Sequence, residues 1–194
     1  MIHLFCASGN PGKLREFRLA AGNAPVQIEL VPGFKQLAPA VEDGETFEAN
    51  AVLKALHYSQ SVTGPLFADD SGLEVDALNG APGVYSARFS GPTATDESNN
   101  RLLLEKLRGV TTRTARFVCA IALVEAGELR GVWRAAVEGA ITHDPRGDGG
   151  FGYDPLFFCP QLGCTFGEAG ASEKFAVSHR GQALRAMLAA LIPG

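Results

Sequence analysis

The feature that most constrains this sequence is its alternation of short apolar runs with segments of helical periodicity. Residues 2–7 are an apolar run typical of a buried strand, and residues 13–20 follow with a helical pattern. The alternation returns with strand-like runs at 26–31 and 66–68 and a helical segment at 46–60 between them. Strands and helices in alternation favour an α/β fold.

The second half of the chain is richer in strand patterns. Residues 114–125 and 129–142 are long β-type runs joined by a short turn, which predicts a hairpin and therefore a mixed sheet. A helix is expected over 96–107 with Asp96 as its N-cap, and a last helix over 179–191. No linker separates independent domains, so residues 1–194 are expected to form a single domain.

Composition indicates a folded globular protein and excludes a general attraction for polyanions. The 194 residues are 46% hydrophobic and 20% charged, which is typical of a folded globular protein. Lys and Arg number 17 against 21 Asp and Glu, and the net charge of −4 gives no general attraction for nucleic acid or an anionic membrane. The 23 glycines follow no repeat, so we expect them to serve specific loops. A polyanionic ligand would need a local site.

Cysteine usage and the apolar stretches favour a cytoplasmic protein. No stretch approaches the roughly 20 apolar residues of a membrane helix, and the N-terminus lacks the regions of a signal peptide. Four cysteines are present, and none forms a CxxC pair: Cys6, Cys119, Cys159 and Cys164. They are expected to be reduced, with a Cys159–Cys164 disulfide as the open alternative.

An anion site is predicted where the first strand meets the first helix. Its residues combine close backbone approach, a helix N-terminus and a cation: Ser8, Gly9, Asn10, Pro11, Gly12 and Lys13. The spacing to Lys13 differs from that of a Walker A loop. A plain strand–helix turn with a surface lysine is the alternative.

Two adjacent carboxylates follow a short apolar strand. Asp69 and Asp70 precede Ser71 and Gly72, a pattern that predicts a strand end and a turn. Because side chains alternate along a strand, only one of the two acids is expected to face a given ligand. Paired carboxylates suit Mg²⁺, which takes one or two from the protein. Solvated acids in an Asx turn are the alternative.

Polar residues also recur on one face of the helix predicted over 46–60. Asn50 and Lys54 lie four residues apart there. The helix dipole accounts for Glu45 and Glu48 without any function, but it does not account for Asn50 and Lys54. A surface polar stripe is the alternative.

Two later segments add an aromatic ring and a group of cations. Residues 149–155 place Phe151 between glycines, where its ring could face a nucleobase; a glycine turn with core aromatics is the alternative. Lys174, His179 and Arg180 supply donors for a carbonyl oxygen or a phosphate; a capped helix with exposed charges is the alternative. Together these segments fit a Mg²⁺–nucleotide site.

In this order the segments resemble the inosine triphosphate pyrophosphatase family, and the match spans nearly the whole chain. The matching motifs are S-G-N-x-x-K at 8–13, E-x-N-A-x-x-K-A at 48–55, A-D-D-S-G-L-x-V-D-A-L-x-G-x-P-G-x-Y-S-A-R-F-S-G at 68–91, N-N-x-x-L-L at 99–104 and G-x-G-G-F-G-Y-D-P-x-F at 147–157. The block at 68–91 is the most specific. Ser8 stands where many members have Thr, which keeps the hydroxyl.

The resemblance implies hydrolysis of XTP, ITP and dITP between the α- and β-phosphates, which cleanses the nucleotide pool of deaminated purines. It implies Mg²⁺ held by Glu42 and Asp70, with Asp70 as the catalytic base. It also implies substrate contacts at Ser8, Gly9, Asn10, Pro11, Gly12, Lys13, Ser71, Phe151, Gly152, Tyr153, Asp154, Lys174, His179 and Arg180. Supporting roles are expected for Asp69, Glu16, Asn50, Lys54 and Arg88.

The fold implied by the resemblance is a two-lobed single domain around a long, twisted mixed sheet flanked by helices. The active site is expected in the cleft between the lobes, and the assembly is expected to be a homodimer with no nucleic-acid or membrane partner. Two other functions stay open. One is a nucleotide sensor without chemistry, which the presence of Glu42 and Asp70 disfavours, and the other is a pyrophosphatase for dTTP or UTP.

Overall fold

The computed structural model describes residues 1–192, which contain seven strands and five α-helices. The strands are β1 (Ile2–Cys6), β2 (Val26–Leu30), β3 (Leu66–Val75), β4 (Thr114–Glu125), β5 (Glu128–Ile141), β6 (Phe157–Cys159) and β7 (Cys164–Thr165). The helices are α1 (Pro11–Ala21), α2 (Phe47–Ser59), α3 (Asp96–Lys106), α4 (Ala171–Val177) and α5 (His179–Leu191). Short 3₁₀ helices span Phe34–Gln36, Asp76–Leu78 and Gly83–Arg88.

All seven strands belong to one mixed sheet, in the order β2-β1-β3-β4-β5-β6-β7. Strand β1 runs parallel to β2, with Ile2 opposite Val26, and parallel to β3, with Phe5 opposite Leu66. Strand β6 runs antiparallel to both β5 and β7. The predicted α/β class with a mixed sheet is therefore confirmed.

The chain divides into two compact units, each with its own hydrophobic core. The first unit comprises residues 1–70, 119–135 and 180–192, and the second comprises 71–118 and 136–179. Buried side chains at the centre of the first unit include Leu4, Phe17, Phe67, Ile121 and Leu184. Those of the second include Leu73, Leu103, Phe117, Phe157 and Phe166. The single-domain organisation and the cleft stay predictions.

Strand β3 is longer than the sequence suggests. The prediction of a strand over 66–68 followed by a turn is wrong, because β3 continues through Asp69 and Asp70 to Val75. Two carboxylates in a buried strand are unfavourable unless they are paired, and both have lysine partners. The acids therefore lie inside the sheet and not at its end.

The helix boundaries differ in part from those predicted. Thr46 caps α2, since its hydroxyl accepts a hydrogen bond from the Ala49 N–H at 3.1 Å. The expected N-cap role of Asp96 is wrong, because Thr95 caps α3 through reciprocal bonds with Ser98 of 3.1 and 2.9 Å. Helix α4 and strand β7 were not expected from the sequence.

All four cysteines are free thiols, so the alternative of a Cys159–Cys164 disulfide is wrong, although the two residues face each other across β6 and β7. Within residues 1–192 no helix has the length and apolar character that crossing a membrane would require.

Gly72 in β3 packs too closely against its surroundings to accept a side chain. A Cβ atom there would collide with the Ser86 hydroxyl and lie 2.6 Å from the Gly83 carbonyl oxygen. That hydroxyl accepts a hydrogen bond from the Leu73 N–H at 2.8 Å and donates to Gly83 at 2.6 Å. Overpacking would therefore also break a hydrogen-bonded turn.

We expect Gly72→Ala to lower the free energy of unfolding by about 1–3 kcal/mol, the usual range for overpacking. Urea denaturation of both proteins measures the change. Gly170→Ala is the matched control, because the nearest atom to its added Cβ is the end of the flexible Glu173 side chain at 3.1 Å. Equal losses in the two variants would contradict the packing argument.

Candidate functional site

The two adjacent acids of β3 are buried, and each bonds to a different helix. Asp69 Oδ2 accepts a hydrogen bond from Lys13 Nζ of α1 at 2.7 Å. Asp70 Oδ2 accepts one from Asn50 Nδ2 of α2 at 3.1 Å, and its Oδ1 lies 3.5 Å from Lys54 Nζ. The alternative of solvated acids is wrong, because both residues are buried.

Lys54 also connects Asp70 to Glu42, whose Oε2 lies 3.0 Å from the same ammonium nitrogen. We call Lys13, Glu42, Lys54, Asp69 and Asp70 the carboxylate cluster. Glu42 and Asp70, the two expected metal ligands, therefore converge on one cation. The alternative of a surface polar stripe on α2 is wrong for Asn50, which is 1% exposed.

Burial and the nearby lysines shift the pKa values of Asp69 and Asp70 in opposite directions. Burial raises the pKa of Asp69, but the positive charges of Lys13, Lys54 and Arg180 outweigh it and lower that pKa below its usual value. At Asp70 burial dominates and the pKa is raised, although both lysines oppose it. Asp70 therefore accepts a proton more readily than its neighbour, as a general base requires.

The charge on Lys54 is stabilised by its surroundings. Burial alone would lower its pKa, but the carboxylates of the cluster outweigh burial and raise the pKa above its usual value. A protonated Lys54 stays close to Glu42 and Asp70. The cluster is therefore a compact arrangement of paired opposite charges.

The loop before α1 is organised by Asn10. Its Oδ1 accepts hydrogen bonds from the N–H groups of Gly12 and Lys13 at 2.8 and 3.2 Å. The first N–H groups of α1 are therefore not free for an anion, because Pro11 has none and these two are bonded to the cap. Side chains and the Ser8 hydroxyl, which accepts from the Asn10 N–H at 3.3 Å, remain the ligand-binding candidates.

A cavity of about 230 Å³ joins this loop to the carboxylate cluster. It is lined by Ala7, Ser8, Gly9, Asn10, Lys13, Phe34, Glu42, Lys54, Tyr58 and Asp69. Phe34 and Tyr58, whose ring centroids are 4.7 Å apart, were not predicted to belong to the site. Tyr58 follows Lys54 by four residues on α2, and this helical spacing was the available signal.

Glu16 and Arg180 form a buried ion pair. Arg180 Nη1 donates to Glu16 Oε2 at 2.8 Å, and the two side chains are 7% and 3% exposed. The structure thereby brings together two residues 164 positions apart in the sequence. Both residues were expected in the site, and both belong to the first unit, as the carboxylate cluster does.

The second unit contains the glycine-rich segment 149–154, which we call the aromatic loop. Asp154 Oδ2 accepts hydrogen bonds from the Phe151 N–H at 2.8 Å and from Lys174 Nζ at 2.6 Å. The Lys174 ammonium also lies 5.4 Å from the centroid of the Phe151 ring, within the range of a cation–π contact. A cation and an aromatic ring are thus held side by side.

The other residues near this loop are more deeply packed than expected. Tyr153 belongs to the core and donates its hydroxyl to the Ser86 carbonyl at 2.8 Å, whereas Phe151 is half-buried. His179 is wholly buried, with its ring stacked on Phe117 at 4.8 Å. The alternative of a helix with exposed charges is wrong for Lys174, which is 3% exposed.

The structure also places two further expected residues, Ser71 and Arg88. Ser71 follows Asp70 in β3 and is half-buried. Arg88 is exposed with its guanidinium 5.2 Å from the centre of the Tyr85 ring. Among residues 1–192, we find no hydrogen bond or ion pair from the Arg88 side chain.

Two residues of α3 that were not predicted to belong to the site hold the aromatic loop. Asp96 accepts a hydrogen bond from the Gly152 N–H at 2.7 Å, and Asn100 donates to the Gly152 carbonyl at 2.9 Å. The N-N-x-x-L-L motif includes Asn100, but the sequence alone does not indicate its partner.

The donor chemistry of Glu42 and Asp70 fits a divalent cation that prefers oxygen. Within the described part of the chain, no group of three or more His, Cys, Asp and Glu side chains is arranged to hold a metal ion. Mg²⁺ needs only one or two protein carboxylates, since water and phosphates complete its coordination. Glu42 and Asp70 already lie close to the same positive charge, that of Lys54.

Comparisons with known proteins agree with the motifs. The model of the Ham1 family matches residues 4–190. A dITP/XTP pyrophosphatase of an Exiguobacterium species is 51% identical over 193 residues, covering 99% of this chain and 98% of that protein. Solved structures of Ham1 proteins from Coxiella burnetii and Staphylococcus aureus superpose with TM-scores of 0.87 and 0.86. Their sequences are 39% and 37% identical, and coverage is 98% of both chains for the first and 97% of both for the second.

Proposed function

Because this chain belongs to the Ham1 family, we propose that it is a nucleoside triphosphate pyrophosphatase acting on dITP, XTP and ITP. Its close full-length similarity to a dITP/XTP pyrophosphatase supports this substrate class. The observation that carries the proposal is the carboxylate cluster, where two acids suited to a metal lie beside lysines suited to phosphate. Removal of deaminated purines from the nucleotide pool is the corresponding cellular role.

The cationic side chains bind the triphosphate in this proposal. Lys13 extends from the loop that borders the cavity, and Lys54 lies at the centre of the cluster. Phosphoryl transfer depends mainly on positioning and charge neutralisation, which these ammonium groups provide. Glu42 and Asp70 would hold Mg²⁺, which supplies polarisation of the phosphate and a lower pKa for a bound water.

Asp70 takes the proton from the attacking water. Its buried position raises its pKa, and the bond from Asn50 at 3.1 Å orients one of its oxygens. The water oxygen forms a bond to the α-phosphorus while the bond from that phosphorus to the bridging oxygen breaks. The products are the nucleoside monophosphate and pyrophosphate, and the water proton leaves through Asp70.

The aromatic loop and Lys174 recognise the purine base. The half-buried Phe151 ring offers a stacking surface, and the Lys174 ammonium is a hydrogen-bond donor held beside it. The 6-oxygen of hypoxanthine or xanthine accepts such a bond, whereas the 6-amino group of adenine is itself a donor. A mismatch of this kind can discriminate by about 10⁴.

We expect pyrophosphate release from dITP, XTP and ITP in the presence of Mg²⁺, and release from ATP slower by about 10²–10⁴. A coupled pyrophosphate assay measures the four rates, and EDTA should abolish all of them. Hydrolysis in ¹⁸O-water should place the label in the monophosphate, as attack at the α-phosphorus requires. Equal rates on all four nucleotides would contradict the substrate class, and label in pyrophosphate would contradict the bond assignment.

A homodimer in the cytoplasm completes the proposal. The homodimer rests on the family resemblance alone, and the cytoplasmic location rests on the four cysteines, all of which are free thiols.

A further inference from the structure

Gly152, at the centre of the aromatic loop, is bonded to α3 through both of its backbone polar groups. Asp96 Oδ2 accepts from its N–H at 2.7 Å, and Asn100 Nδ2 donates to its carbonyl at 2.9 Å. We call Asp96 and Asn100 the α3 pair. They are four residues apart, so they project from one face of the helix. Two successive peptide planes, one on each side of Gly152, are therefore fixed by one rigid element.

The bonds set the direction of the neighbouring aromatic ring. Gly152 has a φ of +64°, a conformation that favours glycine and places the two peptide planes at a sharp angle. Phe151 is then held on both sides, by Asp154 at its own N–H and by Asp96 at the next N–H. Loss of the α3 pair would release one of these two restraints.

Capping of α3 explains neither residue of the α3 pair. Thr95 caps α3, so the Asp96 carboxylate is not needed as the N-cap. Asn100 Oδ1 is buried without a hydrogen-bond partner among the described residues, so the amide is oriented to donate to Gly152. A buried acceptor left unbonded is unfavourable, which indicates that the bond to the loop determines how this side chain is placed.

We propose that the α3 pair are positioning residues for base recognition, which hold Gly152 so that Phe151 presents its ring to the purine. This inference rests on the proposed function and assigns a role to two residues that do not themselves contact the base. Both residues line, with Phe151 and Gly152, a cavity of about 1,040 Å³. Shortening the exposed Asp96 side chain therefore leaves no closed void in the core.

The test compares Asp96→Ala and Asn100→Ala with Glu97→Ala, which removes an exposed charge from the same helical turn. We expect the KM for ITP to rise about tenfold in the first two variants, as loss of one hydrogen bond allows, while kcat changes less than threefold. Inosine monophosphate should bind about tenfold more weakly by calorimetry. Inhibition by inorganic tripolyphosphate, which has no base, should stay unchanged in all three variants.

Asp96→Asn provides the rescue, because its amide oxygen can still accept from Gly152 and should restore most of the affinity. Unchanged affinity for inosine monophosphate in both alanine variants would overturn the inference. So would equal weakening of tripolyphosphate inhibition, or loss of affinity in Glu97→Ala, since either indicates a general structural effect. Absence of pyrophosphate release by the unaltered protein would instead overturn the proposed function, and the calorimetric comparison does not require turnover.

Discussion

Asp70→Asn is expected to lower kcat for ITP by about 10³ or more, within the range lost when a general base is removed. The amide has nearly the shape of the carboxylate, but it cannot take a proton from water. It is also a weaker ligand for a divalent cation. Steady-state pyrophosphate release with the purified variant measures the effect.

The fold should tolerate this change. Lys54 keeps its ion pair with Glu42 at 3.0 Å, so no buried ammonium is left without a carboxylate. We expect the free energy of unfolding to change by less than about 1 kcal/mol. Asp144→Asn, which alters an exposed acid, is the control and should keep full activity. Wild-type kcat in Asp70→Asn would refute its assignment as the base.

Lys174→Met is expected to destabilise the protein by about 3–5 kcal/mol, the usual cost of removing one partner of a buried ion pair. The side chains of Lys174 and Asp154 are 4% and 3% exposed, and the bond between them is 2.6 Å long. Methionine fills similar space, so the loss would come from the missing charge. Urea unfolding with the variant and the original protein measures it.

A double variant separates the effect of the lost charge on stability from the effect of altered packing. Lys174→Met combined with Asp154→Asn removes both charges and should recover part of the lost stability, since the carboxylate no longer lies buried without its ammonium. Lys106→Met removes an exposed lysine from α3 and should change stability by less than about 0.5 kcal/mol. A loss below 1 kcal/mol in Lys174→Met would show that the ion pair is unimportant for stability.

Asp69 and Asp70 in β3 show what local sequence patterns can predict and what they cannot. Their residue types indicated a charged site, but the pattern Asp-Asp-Ser-Gly predicted a turn because acids are rare inside sheets. Strand β3 contains them because Lys13, 56 residues earlier, bonds to Asp69. A pairing over that distance is set by the tertiary fold, so local propensity could not show that the strand continues.

The aromatic loop shows a similar limit. The glycines on either side of Phe151 predicted a ring that could face a nucleobase, and the structure places Phe151 half-buried beside Lys174. The bonds from α3 to Gly152 join residues 52 and 56 positions apart. Asp96 has the residue type of an N-cap, and only the three-dimensional arrangement shows that its carboxylate instead bonds to this loop.

Lys54 reduces the repulsion between two acids in the protein before any ligand binds. Glu42 and Asp70 would repel each other if they lay side by side with no cation between them, and the tethered ammonium removes that repulsion. The protein thus carries its own counterion within the cluster. The like charges of Glu42 and Asp70 are therefore compensated by a side chain of the protein itself, in the same place where the proposed divalent cation would act.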